Sequence, residues 1–128
     1  MSKVLRTLVA LVFLTGTYLV APAFAGDYEK QKVVYHINYD DPKAQAGALR
    51  NIQNHINAVG AENLDLKVVL HGNGLALLLE PDALANVPKF KHANATEDIT
   101  AKVSGLKDQG VSFHVCANTV RGRKVDYN

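Results

Sequence analysis

Cysteine occurs once in this 128-residue chain, at Cys116. A single cysteine cannot close an internal disulfide, so the fold is not a stapled scaffold and must rest on its own core. Neither a CxxC nor an HxxxH spacing is present, which removes the strong zinc signatures. The Gly-x-Gly-x-x-Gly fingerprint and the Walker pattern are missing as well, so no nucleotide phosphate site is expected. No Ser-His-Asp or paired-carboxylate constellation stands out. Internal repeats and low-complexity tracts are absent. Past the first 25 residues no stretch is apolar for the roughly 20 residues that a membrane-spanning helix requires.

The first 25 residues have a separate character. Lys3 and Arg6 form a positive start, Leu8 to Val20 is apolar apart from Thr and Gly, and Ala23-Phe24-Ala25 follows the helix-breaking Pro22. This is the pattern of a secretory signal peptide, with cleavage expected after Ala25. No cysteine lies near that position, which argues against a lipoprotein. The expected organisation is therefore a signal peptide over 1–25 and a single domain over 26–128. The mature protein is expected in the periplasm or outside the cell, with no stable membrane insertion after cleavage. Lys3 and Arg6 are two of the 14 basic residues, and the 12 acidic residues all lie beyond Ala25. The domain is thus electrically neutral with neutral histidine, and nothing in its charge points to nucleic acid or an anionic membrane.

Within the domain, Lys32 to Tyr39 is rich in β-branched and aromatic residues and predicts a strand. Asp41 suits a helix N-cap and Pro42 the first helical position. Leu49, Ile52, Ile56 and Val59 then recur at spacings of three and four, an apolar helical stripe that Gly60 ends. Leu64 to Leu70 predicts a second strand. His71-Gly72-Asn73-Gly74 leads into a short apolar helix, Leu75 to Leu79, closed by Pro81. Residues 80–93, broken by Pro81 and Pro88, are the least ordered by composition. Asn94 is the expected cap of the next helix, with Glu97 in capping-box position and Ile99, Val103 and Leu106 as its stripe. Val111 to Val115 predicts the third strand, followed by Cys116, a further helical turn and a polar tail, Arg121 to Asn128.

Strands that alternate with helices predict an α/β fold with a mostly parallel sheet. The strands read as nearly continuous apolar runs, so both sheet faces are expected to be covered, in a three-layer arrangement built of flavodoxin/Rossmann-like βαβ units. In such a sheet ligands bind beyond the carboxyl ends of the strands. Those ends carry Asn38, His71 and Cys116, so connectivity alone gathers them at one edge. A helix starting after Cys116 would favour its thiolate, and an imidazole of His71 or His114 nearby would add to that. His114 lies two residues from Cys116, on the same side of the strand. His36, in mid-strand, reads best as a hydrogen-bonded core residue. His55 and His92 read as helix-surface and loop residues.

Two other chemistries compete with a reactive thiol. Free cysteine packs well as a small hydrophobe, so Cys116 could be inert in the core of a non-catalytic oligomeric binding module. Alternatively, His114 and Cys116 with His71 or His36 offer ligands suited to copper(I) or zinc, although the spacing lacks a metal signature.

The segments VVLHGNGL (68–75) and LKDQGVSFHVCANTVRGRKV (106–125) resemble the DsrE/DsrF-like family of sulfur-relay proteins. The most specific part is Gly110-Val111, a strand, Cys116 and then Arg121-Gly122. The resemblance spans about Lys32 to Val125. It implies a flavodoxin- or Rossmann-like α/β fold that assembles as trimers or hexamers. It also implies that Cys116 accepts a sulfane sulfur as a persulfide and hands it on. From their placement in the chain, His71 is then expected to stabilise the thiolate, and Asn38, His114 and Asn118 to be available to the bound sulfur. Such a protein is a carrier more than a catalyst. Its partners would be sulfur donor and acceptor proteins or small sulfur compounds, and no cofactor or resident metal is implied. Family members usually continue past the Arg-Gly segment into another helix and strand, whereas the sequence here ends at Asn128. A smaller sheet, or one whose edge a partner chain covers, is the matching expectation.

Overall fold

The computed structural model describes residues 30–126, and the signal segment expected over 1–25 lies outside them. Three strands pair in parallel in the order β1 (Gln31–Ile37), β2 (Leu64–Leu70), β3 (Ser112–Val115). The register places Ile37 beside Leu70, and Leu70 beside Val115, so the three carboxyl ends are level. Helix α1 (Pro42–Val59) links β1 to β2, and α2 (Glu97–Asp108) links β2 to β3. A short helix α3 (Ala117–Arg123) starts directly after β3.

The cap residues explain why α1 begins where it does. The Asp41 side chain accepts a hydrogen bond from the Ala44 amide at 2.7 Å, and Pro42 occupies the first turn. The helix ends at Gly60, whose φ of 90° turns the chain and lets its N–H reach the Ile56 carbonyl. The buried stripe of α1 is Gln45, Ala48, Leu49, Ile52 and Ile56. It packs with Ile99, Val103 and Leu106 of α2 against Ile37, Leu66, Val68 and Leu70 of the sheet.

Both long helices therefore lie on one face, and the described domain has two layers where three were expected. The reason is topological. A right-handed crossover puts its helix on a fixed side of the sheet, and both crossovers step in the same direction across it. Covering the second face would need a strand added on the other side of β1. The uncovered face carries Val34, His36, Lys67 and His114, all exposed, and Val34 is 64% accessible. The strands accordingly alternate in burial, most clearly β2, instead of being buried on both sides.

Other departures have local causes. The helix over Leu75–Leu79 is a 3₁₀ segment, Gly72–Leu78, that begins directly after His71. Residues 80–93 are better tied down than their composition suggests. They include a 3₁₀ turn, Pro81–Asn86, and bury Val87 and Phe90 against Leu75, Ala76 and Leu79 in a second apolar cluster. Val120 and Val125 pack on that cluster, and Arg123 lies 4.5 Å over the Phe90 ring. The tail expected to be simply polar is thus partly built into α3 and its packing.

The cap of α2 is Thr96, whose hydroxyl accepts from the Ile99 amide, and not Asn94. Asn94 is buried because it has a more valuable bond to make. Its amide donates to the Asp40 carbonyl at 2.9 Å and to Gln45 Oε1 at 2.8 Å. Gln45, fully buried, donates in turn to the carbonyls of Tyr39 (2.7 Å) and Gly74 (3.2 Å). This pair of amides satisfies loop carbonyls that burial would otherwise leave unpaired.

Glycine contacts yield opposite expectations for two positions. A Cβ on Gly74 would lie 1.9 Å from the Ile37 carbonyl oxygen, a backbone atom that cannot rotate away. Gly74→Ala should lower unfolding free energy by about 2–3 kcal/mol in urea titration. At Gly105, inside α2, a Cβ meets nothing within 4 Å. Gly105→Ala should raise stability by about 0.5–1 kcal/mol in the same assay.

Candidate functional site

Cys116 follows β3 and serves as the N-cap of α3, with φ −67° and ψ 114°. Its N–H donates to the Leu70 carbonyl at 3.0 Å, which carries the β2–β3 ladder one residue past the end of β3. On the other side of β2, the His71 N–H donates to the Ile37 carbonyl at 3.0 Å. The backbones of Ile37, His71 and Cys116 are thereby pinned at the carboxyl edge. The Cys116 side chain is partly exposed, which does not fit an inert core cysteine.

The first turn of α3 supplies the electrostatics of the thiol. Its pKa is lowered, chiefly by the Thr119 backbone N–H and next by the Thr119 hydroxyl. The Asn118 N–H and the Arg121 charge act in the same direction, while partial burial opposes them. No cap hydrogen bond of strict geometry closes onto the sulfur, so these donors act as a polar surround and not as a tight clamp. Thr119 is itself held. It is 7% exposed, and its hydroxyl oxygen accepts from the Gly72 N–H at 2.9 Å. An oxygen occupied as an acceptor on that side leaves its own hydrogen available to the sulfur. Gly72, at φ 55°, has a backbone conformation that favours glycine.

The other sequence-derived candidates sit in different surroundings. The Asn118 side chain accepts from Arg121 Nη2 at 2.7 Å, so it steadies the guanidinium while its backbone N–H faces the sulfur. His71 is not among the groups that act on the thiol. Its ring lies instead against that of His36, with centroids 5.8 Å apart. His36 is exposed on the open sheet face and not a core residue, because no helix among the described residues covers that face. His114 is exposed on the same face, beside Val69 and opposite His36. Asn38 is exposed just beyond β1. Among the described residues no three His, Cys, Asp or Glu side chains come together to hold a metal ion, so the His114–Cys116 set is not assembled as one.

Thr119 and Arg121 are the residues that sequence reasoning missed. A signal for Thr119 exists: it stands three residues after Cys116, the N-cap to N3 spacing that brings a side chain back to the cap. A groove of about 690 Å³ is lined by Leu75, Leu78, Leu79, Val115, Ala117 and Val120, with Arg121 also in its wall; Val115 and Ala117 flank Cys116, which is not itself in the lining. Leu78 and Val115 are 36% and 38% exposed there.

The DsrE/DsrF-like family model matches residues 32–128. Searches of curated proteins and of solved structures return no match.

The lowered thiol pKa has a direct consequence. Thiolate is the reacting form, so removing a donor raises the pKa and slows alkylation at any pH below the new midpoint. Thr119→Val should shift the iodoacetamide rate–pH curve toward higher pH. Arg121→Gln should shift it less, by an amount that shrinks as salt is added.

Proposed function

We propose that this chain, which belongs to the DsrE/DsrF-like family, is an exported sulfur carrier that holds a sulfane sulfur on Cys116. The family is linked in general to sulfur relay. The observation that carries the finer reading is a partly exposed thiol whose surroundings favour the thiolate, at the carboxyl edge of a parallel sheet. In the loading step the Cys116 thiolate attacks the outer sulfur of a donor persulfide, R–S–SH. One sulfur–sulfur bond forms, one breaks, and R–S⁻ leaves with the electron pair. In the unloading step an acceptor thiolate attacks the outer sulfur of the Cys116 persulfide, and Cys116 leaves as thiolate. Neither step needs an external oxidant or reductant. The Thr119 and Asn118 donors serve both steps, since a thiol of lowered pKa is also the better leaving group.

The role of each further residue follows from its position. The Thr119 hydroxyl and N–H orient and stabilise the sulfur anion. Arg121, braced by Asn118, adds positive charge that would draw an anionic donor. Asn38, His71 and His114 stand near the same edge or on the adjoining face and are available to a partner that docks there. The partners are sulfur donor and acceptor proteins or small sulfur compounds. Assembly with further copies, as trimers or hexamers, agrees with the open sheet face and with the edge position of β3. Export, to the periplasm or beyond, rests on the n-region, apolar core and Ala23-Phe24-Ala25 pattern. The neutral domain gives no reason to expect nucleic acid, and no helix among the described residues is long and apolar enough to cross a membrane.

Intact-mass spectrometry after incubation with polysulfide tests the proposal. The expected result is an adduct of one sulfur, about 32 Da, removed by dithiothreitol and absent in Cys116→Ser. A protein that stays unmodified with polysulfide, glutathione persulfide and thiosulfate alike would count against it.

A further inference from the structure

Four of the five histidines fall into two pairs. His55 Nδ1 bonds the Tyr35 hydroxyl at 3.2 Å, and His92 Nδ1 lies 3.5 Å from Asp40. His36 and His71 are exposed, and among the described residues neither ring makes a hydrogen bond. They contact each other, with centroids 5.8 Å apart and planes inclined by 36°. Two imidazoles thus meet on an exposed face with no hydrogen bond to a ring nitrogen from any described residue.

We propose that His36 and His71 form a two-imidazole site for a borderline divalent transition metal, of the Zn²⁺ or Ni²⁺ class, on the open face of the sheet. The backbone fixes the pair. His36 aligns with Val69 in β2, and His71, one residue past the end of β2 and still extended, is two residues beyond Val69, so both side chains leave the same side of the sheet. The bond from the His71 N–H to the Ile37 carbonyl locks that register at the position where it matters.

The spacing suits a shared cation. A metal about 2.0–2.1 Å from one nitrogen of each ring places the two centroids roughly 5–6 Å apart over the usual range of coordination angles. The ligand type selects the ion. Imidazole alone, without a carboxylate, favours Zn²⁺, Ni²⁺ and Cu²⁺ over Ca²⁺ and Mg²⁺. Water completes the coordination, because no third His, Cys, Asp or Glu among the described residues closes on the pair. His114 is on the same face, separated from His36 by Val69, and among the described residues it does not close with the pair into a three-ligand group, so it is not a ligand. The site is open and exchangeable, independent of the sulfur chemistry at Cys116.

Isothermal titration of the purified protein with Zn²⁺ tests this. The expected result is one saturable site, weakened more than about tenfold in His36→Gln and in His71→Gln and little changed in His114→Gln and Cys116→Ser. Paramagnetic Ni²⁺ provides a check on unaltered protein, and it should broaden the His36 and His71 ring signals before those of His55, His92 and His114. Absence of saturable binding would overturn the proposal. So would binding that survives in both single variants, that disappears in Cys116→Ser, or that broadens His114 first.

Discussion

Two hydrogen bonds join the end of β2 to the start of α3, one from the Cys116 amide to the Leu70 carbonyl and one from the Gly72 amide to the Thr119 hydroxyl. The first sets where the thiol stands, at the rim of the sheet. The second sets what surrounds it, because it buries Thr119 in the orientation that offers a proton and an amide to the sulfur. Each is worth only about 1 kcal/mol in net stability. Their effect on chemistry is larger than that figure, since a rotated α3 would leave Cys116 an ordinary surface thiol. Glycine makes the join possible: Gly72 turns its N–H toward α3 at positive φ, and Gly74 lets the next turn pass directly under β1.

The same edge is braced from the far side by Gln45 and Asn94. Their amides gather carbonyls from the β1–α1 turn and from the His71–Gly74 turn, together with each other. A buried polar network of this kind is costly when incomplete and specific when complete. It holds the loops beyond the strands in one arrangement, so that the thiol faces a shaped surface. The asymmetry of the sheet adds the second theme. Both crossovers place their helices on one side, so one face is core and the other presents histidine, lysine and valine. A parallel sheet is ordinarily covered twice. Among the described residues the second face is left open to solvent, which the helix-covered face is not.

Local signals were readable in the chain. Leu64–Leu70 is a strand over the residues that its composition marks, and α1 runs from Pro42 to Val59 because Asp41, Pro42 and Gly60 act through nearest neighbours. The DsrE/DsrF-like assignment, the parallel βαβ order and the edge position of Cys116 were legible for the same reason. What was hidden depends on contacts between distant segments. Asn94 looks like a cap until Gln45, 49 residues away in sequence, takes its amide. His36 looks like a core residue until the direction of both crossovers leaves its face bare. Thr119 looks like an ordinary helix residue until Gly72, 47 residues earlier, orients its hydroxyl. His71 looks like a partner of the thiol until its ring is found against that of His36.

The account stands on the claim that folding makes Cys116 a better thiolate than the same residue in an open chain. Its most direct test is the ultraviolet absorbance of thiolate followed as a function of pH, on native protein and on protein unfolded in urea. The native titration is predicted to have its midpoint at lower pH than the unfolded one. Coincident midpoints, or a native midpoint at higher pH, would contradict the account, because the donors of α3 would then have no hold on the sulfur.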